Sequence, residues 1–140
     1  MRILGLDLGS RTLGIAMSDT NESIASMKET YRFEEDDYDS ALDHTLEYID
    51  QYNIKTVVLG LPKHMNGDIG IRGEISLEFK EILENERKDV TVVLIDERLT
   101  TVISQRSMTM MNTSKKKKKG IVDQIAAQQI LQSYLDTKKR

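Results

Sequence analysis

Three acidic positions in this 140-residue chain sit where a charge is unusual. Asp7 interrupts the apolar run ILGLDLG, the pair Asp96-Glu97 ends the run VTVVLI, and Asp123 falls among Ile121, Val122, Ala126 and Ala127. A carboxylate held out of water costs several kcal/mol unless a cation, a donor or water meets it. One carboxylate from each of three separate elements is what a two-metal phosphoryl-transfer site requires. Two hard cations about 3.5–4 Å apart need several anionic oxygens, one group bridging; one ion activates water and the other takes the charge of the leaving oxygen. Asp7 alone could equally cap the turn that follows it, as aspartate often does.

The elements that would carry these acids follow from periodicity. Alternation predicts a strand over Arg2–Leu8, with Leu4, Leu6 and Leu8 on one face and Ile3, Gly5 and Asp7 on the other. Gly9 and Ser10 turn the chain into a second strand, Leu13–Ser18, whose small side, Gly14, Ala16 and Ser18, would lie beside Asp7 if the strands pair. A third, edge strand is expected within 24–33. The acidic run from Glu34 to Asp37 then caps a helix with Leu42, Leu46 and Ile49 at helical spacing, on which His44 reads as a surface residue and not as a metal ligand.

Ile54–Leu61 is apolar on both faces and predicts a buried parallel strand. It opens into a loop, 63–73, at the end of the strand where α/β proteins place ligands. A helix with Ile75, Phe79, Ile82 and Leu83 inside follows from about Gly73, then a second buried strand, Val90–Ile95. Successive strand residues face opposite ways, so only one of Asp96 and Glu97 can join Asp7. The pattern leaves open which. A further helix is expected through Leu99, Val102, Ile103, Arg106 and Met110, its start and the hydroxyls of Thr100 and Thr101 suited to a phosphate. The last helix runs from about Gly120 to Lys138, with Asp123 on the side of Ala127 and Ile130.

The chain has 39% hydrophobic and 31% charged residues, enough for one α/β domain over 1–140 with a normal core. It has no cysteine, which excludes disulfides and thiolate chemistry and suits a cytoplasmic location. No apolar run suggests a leader or a membrane span. The net charge of −3 hides a division: residues 1–97 carry 10 basic and 21 acidic residues, net −11, and residues 98–140 carry 10 and 2, net +8. A basic end on an acidic body predicts a nucleic-acid contact through phosphate. Its centre, Lys115, Lys116, Lys117, Lys118 and Lys119, breaks the periodicity and predicts a mobile lysine-rich loop at about 112–120.

Four ordered motifs, GLDLGSRTLGIAMSD, VVLGLPKHMNGDIG, DERLTT and KKKKKGIVDQIAAQQILQSYL, together resemble the YqgF family of RuvC-like nucleases, over nearly the whole chain. The resemblance implies a ribonuclease H-like fold: a mixed five-stranded sheet, its first three strands antiparallel, flanked by helices. It also implies a catalytic, metal-holding set of Asp7, Glu97 and Asp123, with Asp7 bridging two Mg²⁺ or Mn²⁺ ions and water attacking the scissile phosphate to leave a 5′-phosphate. By the same resemblance Arg11, Lys63, Arg72, Arg98, Thr100 and Thr101 would contact the nucleic-acid backbone, and the five lysines would close over it. The position one turn after Asp123, where related enzymes often carry a fourth acid, is Ala126.

The implied activity is trimming of the 5′ end of precursor 16S rRNA, on free or ribosome-bound RNA, by a monomer or weak dimer. The alternatives are a Holliday-junction resolvase acting on branched DNA, which needs a dimer for paired incisions, and a non-catalytic nucleic-acid-binding factor, for which the lysines would matter and the acids would not. GLDLGSRTLGIA also resembles the first phosphate loop of the actin, sugar-kinase and Hsp70 superfamily. A length of 140 residues and the lack of a second glycine-rich loop weigh against that reading.

Overall fold

The computed structural model describes residues 1–64, 66–99 and 115–138, with the backbone alone for 99 and 115–122. Five strands, β1 (Ile3–Leu8), β2 (Thr12–Ser18), β3 (Ala25–Arg32), β4 (Thr56–Leu61) and β5 (Thr91–Asp96), form one sheet in the order β3-β2-β1-β4-β5. β1, β2 and β3 pair antiparallel, whereas β4 and β5 add parallel to β1, so the sheet is mixed. The expected edge strand is indeed at the edge, and its exposed Met27, Lys28 and Ser26 mark it as such.

Helices α1 (Tyr38–Tyr52) and α2 (Ile71–Glu86) cover one face, and α3 (Lys115–Lys138) covers the other. The period-two pattern of β1 explains the split. Leu4, Leu6 and Leu8 join Leu13, Ile15, Val57 and Leu59 beneath Ala41 and Ile49 of α1 and Phe79 and Leu83 of α2. Ile3, Ala16 and Val58 point the other way, beneath Ala127, Ile130, Leu131 and Leu135 of α3. Asp7 belongs to this second face.

Local chemistry sets the helix ends. Asp37 caps α1 by accepting the Ser40 N–H, and Asn53, left-handed at φ 53°, closes it with its N–H on the Ile49 carbonyl. α2 begins at Ile71, two residues before the expected start, because Gly70 serves as its N-cap. The largest difference lies in α3, which starts at Lys115 and not near Gly120. The lysine run 115–119 is therefore helical, and the expected loop is corrected there. Lysine is a good helix former, and a single glycine costs a helix only about 1 kcal/mol, so the loss of amphipathic pattern did not mean a loss of helix. Residues 112–114 and the helix expected beyond Leu99 lie outside the described residues; up to Leu99 the chain forms one 3-10 turn, Glu97–Leu99.

The β2–β3 turn is organised by Asp19. Its carboxylate accepts the N–H of Ile24 at 3.1 Å, the N–H of Ser23 at 2.7 Å and the hydroxyl of Ser23 at 2.8 Å, which together lower its pKa to about 2. A depressed carboxylate stabilises the fold fully above its unfolded value near 3.8, and that contribution disappears as pH falls through about 2. Asp19→Ala is therefore expected to lower the melting temperature at pH 6 and to flatten its decline between pH 4 and 2. Equal acid dependence in both proteins would refute the role of this turn.

Candidate active site

Asp7, Glu97 and Asp123 are each only 5% exposed, and each lies on the side of the sheet that faces α3. Asp7 pairs across β1–β2 with Gly14, and one residue beyond the Leu6–Leu59 pair its other neighbour is Gly60. It thus stands between two glycines. A Cβ on Gly14 would lie 2.2 Å from the carbonyl oxygen of Asp123, so α3 reaches the sheet here only because position 14 has no side chain. A Cβ on Gly60 would lie 2.9 Å from Cγ of Glu97, so that side chain occupies the space above β4. The two glycines form a floor on which the second and third acids approach the first.

Strand parity explains the choice between the neighbouring acids on β5. Gly60 pairs with Ile95, which packs on the α3 face, and Glu97 has the parity of Ile95. Asp96 pairs with Leu61 and has the parity of Leu94, on the opposite face. There it is engaged otherwise: Nη2 of Arg98 reaches it at 2.7 Å and Nζ of Lys63 at 3.8 Å. The Arg98 guanidinium holds the Asp96 carboxyl below the usual carboxylate range.

A residue that the sequence reading missed completes the group. Thr12, 4% exposed, donates its hydroxyl to Oδ2 of Asp123 at 2.8 Å across 111 positions of sequence. Its signal was available, because Thr12 shares the parity of Gly14, opposite Asp7. The donor set is carboxylate oxygen on a buried floor, the chemistry that hard divalent cations such as Mg²⁺ and Mn²⁺ prefer. Among the described residues no three acidic or histidine side chains are already grouped as a finished metal cage.

The family model described as "RuvX: Holliday junction resolvase" matches residues 1–137. The chain belongs to the RuvX family. A protein of Acetivibrio thermocellus named "Putative pre-16S rRNA nuclease" is 46% identical over 138 residues, 99% of this chain and 97% of its own length. A protein of the same name from Staphylococcus aureus is 44% identical over 136 residues, 97% of this chain and 96% of its own. Among solved structures, T. thermophilus RuvC in complex with a Holliday junction substrate is 14% identical with a TM-score of 0.62, covering 99% of this chain and 96% of that one. The fowlpox virus resolvase bound to junction DNA is 12% identical with a TM-score of 0.60 and full coverage of both chains. The fold is therefore that of RuvC, the ribonuclease H-like α/β arrangement expected from the motifs.

In this RuvX member the basic residues singled out from the sequence divide into groups. Arg72 donates from Nη2 to the carbonyl of Leu8, the residue after Asp7, at 3.3 Å and from Nη1 to the Tyr38 hydroxyl at 3.2 Å. Lys63 and Arg98 meet at Asp96. Arg11 is exposed and pairs with Glu35 at 3.0 Å, a contact worth little that a phosphate could replace. Thr100 and Thr101 lie outside the described residues, and only the backbone of Lys115–Lys119 is described. His44, read from the sequence as a surface residue, is partly buried: it stacks on Tyr31, with ring centroids 4.0 Å apart, and hydrogen-bonds Glu29, joining α1 to β3.

The Thr12 contact has a measurable consequence. Thr12→Val keeps shape and removes a buried donor to a carboxylate, a loss of about 1–3 kcal/mol in stability. It is expected to raise the divalent-metal concentration needed for half-maximal cleavage, with Thr12→Ser restoring the wild-type value. An unchanged metal requirement in Thr12→Val would show that the hydroxyl does not position Asp123.

Proposed function

We propose that this protein is a divalent-metal-dependent nuclease that trims the 5′ end of precursor 16S rRNA. The observation that carries the reading is the set of three buried carboxylates, drawn from β1, the end of β5 and α3, around a floor made of two glycines. The names of the 44–46% identical relatives give it its substrate. Asp7, Glu97 and Asp123 would hold Mg²⁺ or Mn²⁺, and such ions supply an activated water and a counter-charge for the leaving oxygen. Asp7, set between Gly14 and Gly60, would be the central ligand. Thr12 keeps the Asp123 carboxylate in place, and the rigid sheet fixes the base of the site. Arg72, which reaches the carbonyl after Asp7, and Lys63 would meet the flanking phosphates, as would lysines 115–119 at the start of α3. In the reaction water adds to phosphorus, the bond to the 3′ oxygen breaks, and the product carries a 5′-phosphate.

The test is cleavage of a labelled RNA spanning the 5′ leader and mature end of 16S rRNA, with Mn²⁺ or Mg²⁺, beside a chelator control and a four-way DNA junction. Metal-dependent scission of the RNA in preference to the junction is expected. Symmetric paired cuts in the junction, with the RNA intact, would favour the resolvase activity named in the family description, which requires two copies of the chain. Binding of RNA without scission, on free RNA and on precursor ribosomal subunits alike, would favour a non-catalytic factor. Among the described residues no helix is long and apolar enough to cross a membrane.

A further inference from the structure

At the C-terminal end of β4 lies a cavity that the proposed reaction does not use. The chain leaves β4 through Pro62, Lys63 and His64 and enters α2 at Ile71, and the two segments bound an open cavity of about 660 Å³ with Arg72 at its edge. Its wall is mostly apolar, yet its rim carries cations. Ile71 is 76% exposed and Ile69 40%, two of the five large hydrophobic residues that the described surface leaves open. The His64 ring is set against the backbone of Gly70, where a Cβ would come within 2.5 Å of Nε2, so glycine at 70 gives the imidazole its seat and leaves the residue exposed.

Two contacts tie the cavity's cations to residues next in sequence to the acids. Arg72 at its edge reaches the carbonyl of Leu8, the residue after Asp7, and Lys63 reaches Asp96, the residue before Glu97. A polyanion running past the acids would meet both cations and pass the apolar wall between them. We propose that this cavity receives one unstacked base of single-stranded RNA, a base beside the phosphate that Arg72 and Lys63 would meet. The inference rests on the nuclease reading and adds to it a reason for selecting single strands. A duplex keeps its bases paired and stacked, whereas a single strand can turn one out against an aliphatic and imidazole surface. Apolar contact and ring stacking accept any base, so the site selects strandedness over sequence.

The test reads binding and not cleavage. Full-length Asp7→Asn protein is titrated with a labelled single-stranded RNA in which each base in turn is replaced by an abasic residue. One abasic position, adjacent to the bond that the wild-type protein cuts, is expected to weaken binding about tenfold, the low end of what stacking of one base supplies. His64→Ala and Ile71→Ser should weaken binding of the intact RNA by a similar factor and make binding indifferent to that abasic position. Both residues are exposed, so melting temperatures should stay near that of the parent. Equal loss at every position, or His64→Ala and Ile71→Ser proteins that bind as the parent does, would overturn the proposal. A wild-type protein that cuts the RNA without any such base dependence refutes this inference alone. One that cuts nothing but shows the base footprint refutes the nuclease reading alone.

Discussion

Asp7→Asn is expected to abolish metal-dependent scission, by about 10³-fold or more, which corresponds to roughly 4 kcal/mol of barrier. The substitution keeps shape and removes charge from the one acid that stands between the other two elements. An amide oxygen is a weaker ligand than a carboxylate and brings no charge to neutralise a divalent ion. The same change should not harm the fold. A carboxylate only 5% exposed is costly to keep charged, and an amide of the same shape relieves part of that cost. The melting temperature of Asp7→Asn without metal is therefore expected to equal or exceed that of the wild type. Added Mn²⁺ should raise the wild-type melting temperature and leave the variant nearly unmoved, because a ligand stabilises only the state that binds it. Cleavage by Asp7→Asn within tenfold of wild type would remove Asp7 from the centre of the site. An equal thermal shift in both proteins would move the metal elsewhere.

That Asp7 could be singled out from the sequence at all is a matter of contrast. A lone acid in a strand whose two faces are otherwise leucine, isoleucine and glycine is conspicuous, and alternation alone put it on the face opposite Leu4, Leu6 and Leu8, where the structure has it. Asp123 was legible for the same reason, from the spacing to Ala127 and Ile130. Glu97 was not. The strand VTVVLI is apolar on both sides, so its own sequence does not say which parity faces α3; that follows from pairing with Gly60, and pairing is a property of the sheet. Without the family motif the choice between Asp96 and Glu97 would have stayed open. The start of α3 was misplaced because a run of five lysines has helix propensity but no hydrophobic period, and period was the signal in use. Thr12 was overlooked because a hydroxyl gains meaning only from its partner, and that partner lies 111 residues away.

Gly14 is the position where the fold and the site depend on one missing atom. In Gly14→Ala the new Cβ would sit 2.2 Å from the carbonyl oxygen of Asp123 and 2.7 Å from its carbonyl carbon. Both are backbone atoms in the middle of a helix, so no rotamer change makes room; α3 must move off the sheet by roughly 1 Å to restore ordinary contact. Lifting a helix whose inner face includes Ala127, Ile130, Leu131 and Leu135 is expected to cost about 3 kcal/mol or more, a fall of roughly 10 °C in melting temperature. Gly60→Ala makes the informative comparison. There the nearest atoms are Cδ1 of Ile130 at 2.6 Å and Cγ of Glu97 at 2.9 Å, side-chain atoms that can swing aside. Gly60→Ala should therefore lose less stability and still lose activity, because the atom that yields belongs to an acid of the site. Activity should fall in Gly14→Ala as well, since the shift carries Asp123 away from Asp7 and from the Thr12 hydroxyl. Thermal melts and single-turnover cleavage of the two variants, measured side by side, check both claims. A Gly14→Ala protein as stable as wild type would show that α3 does not bear on the sheet at this residue.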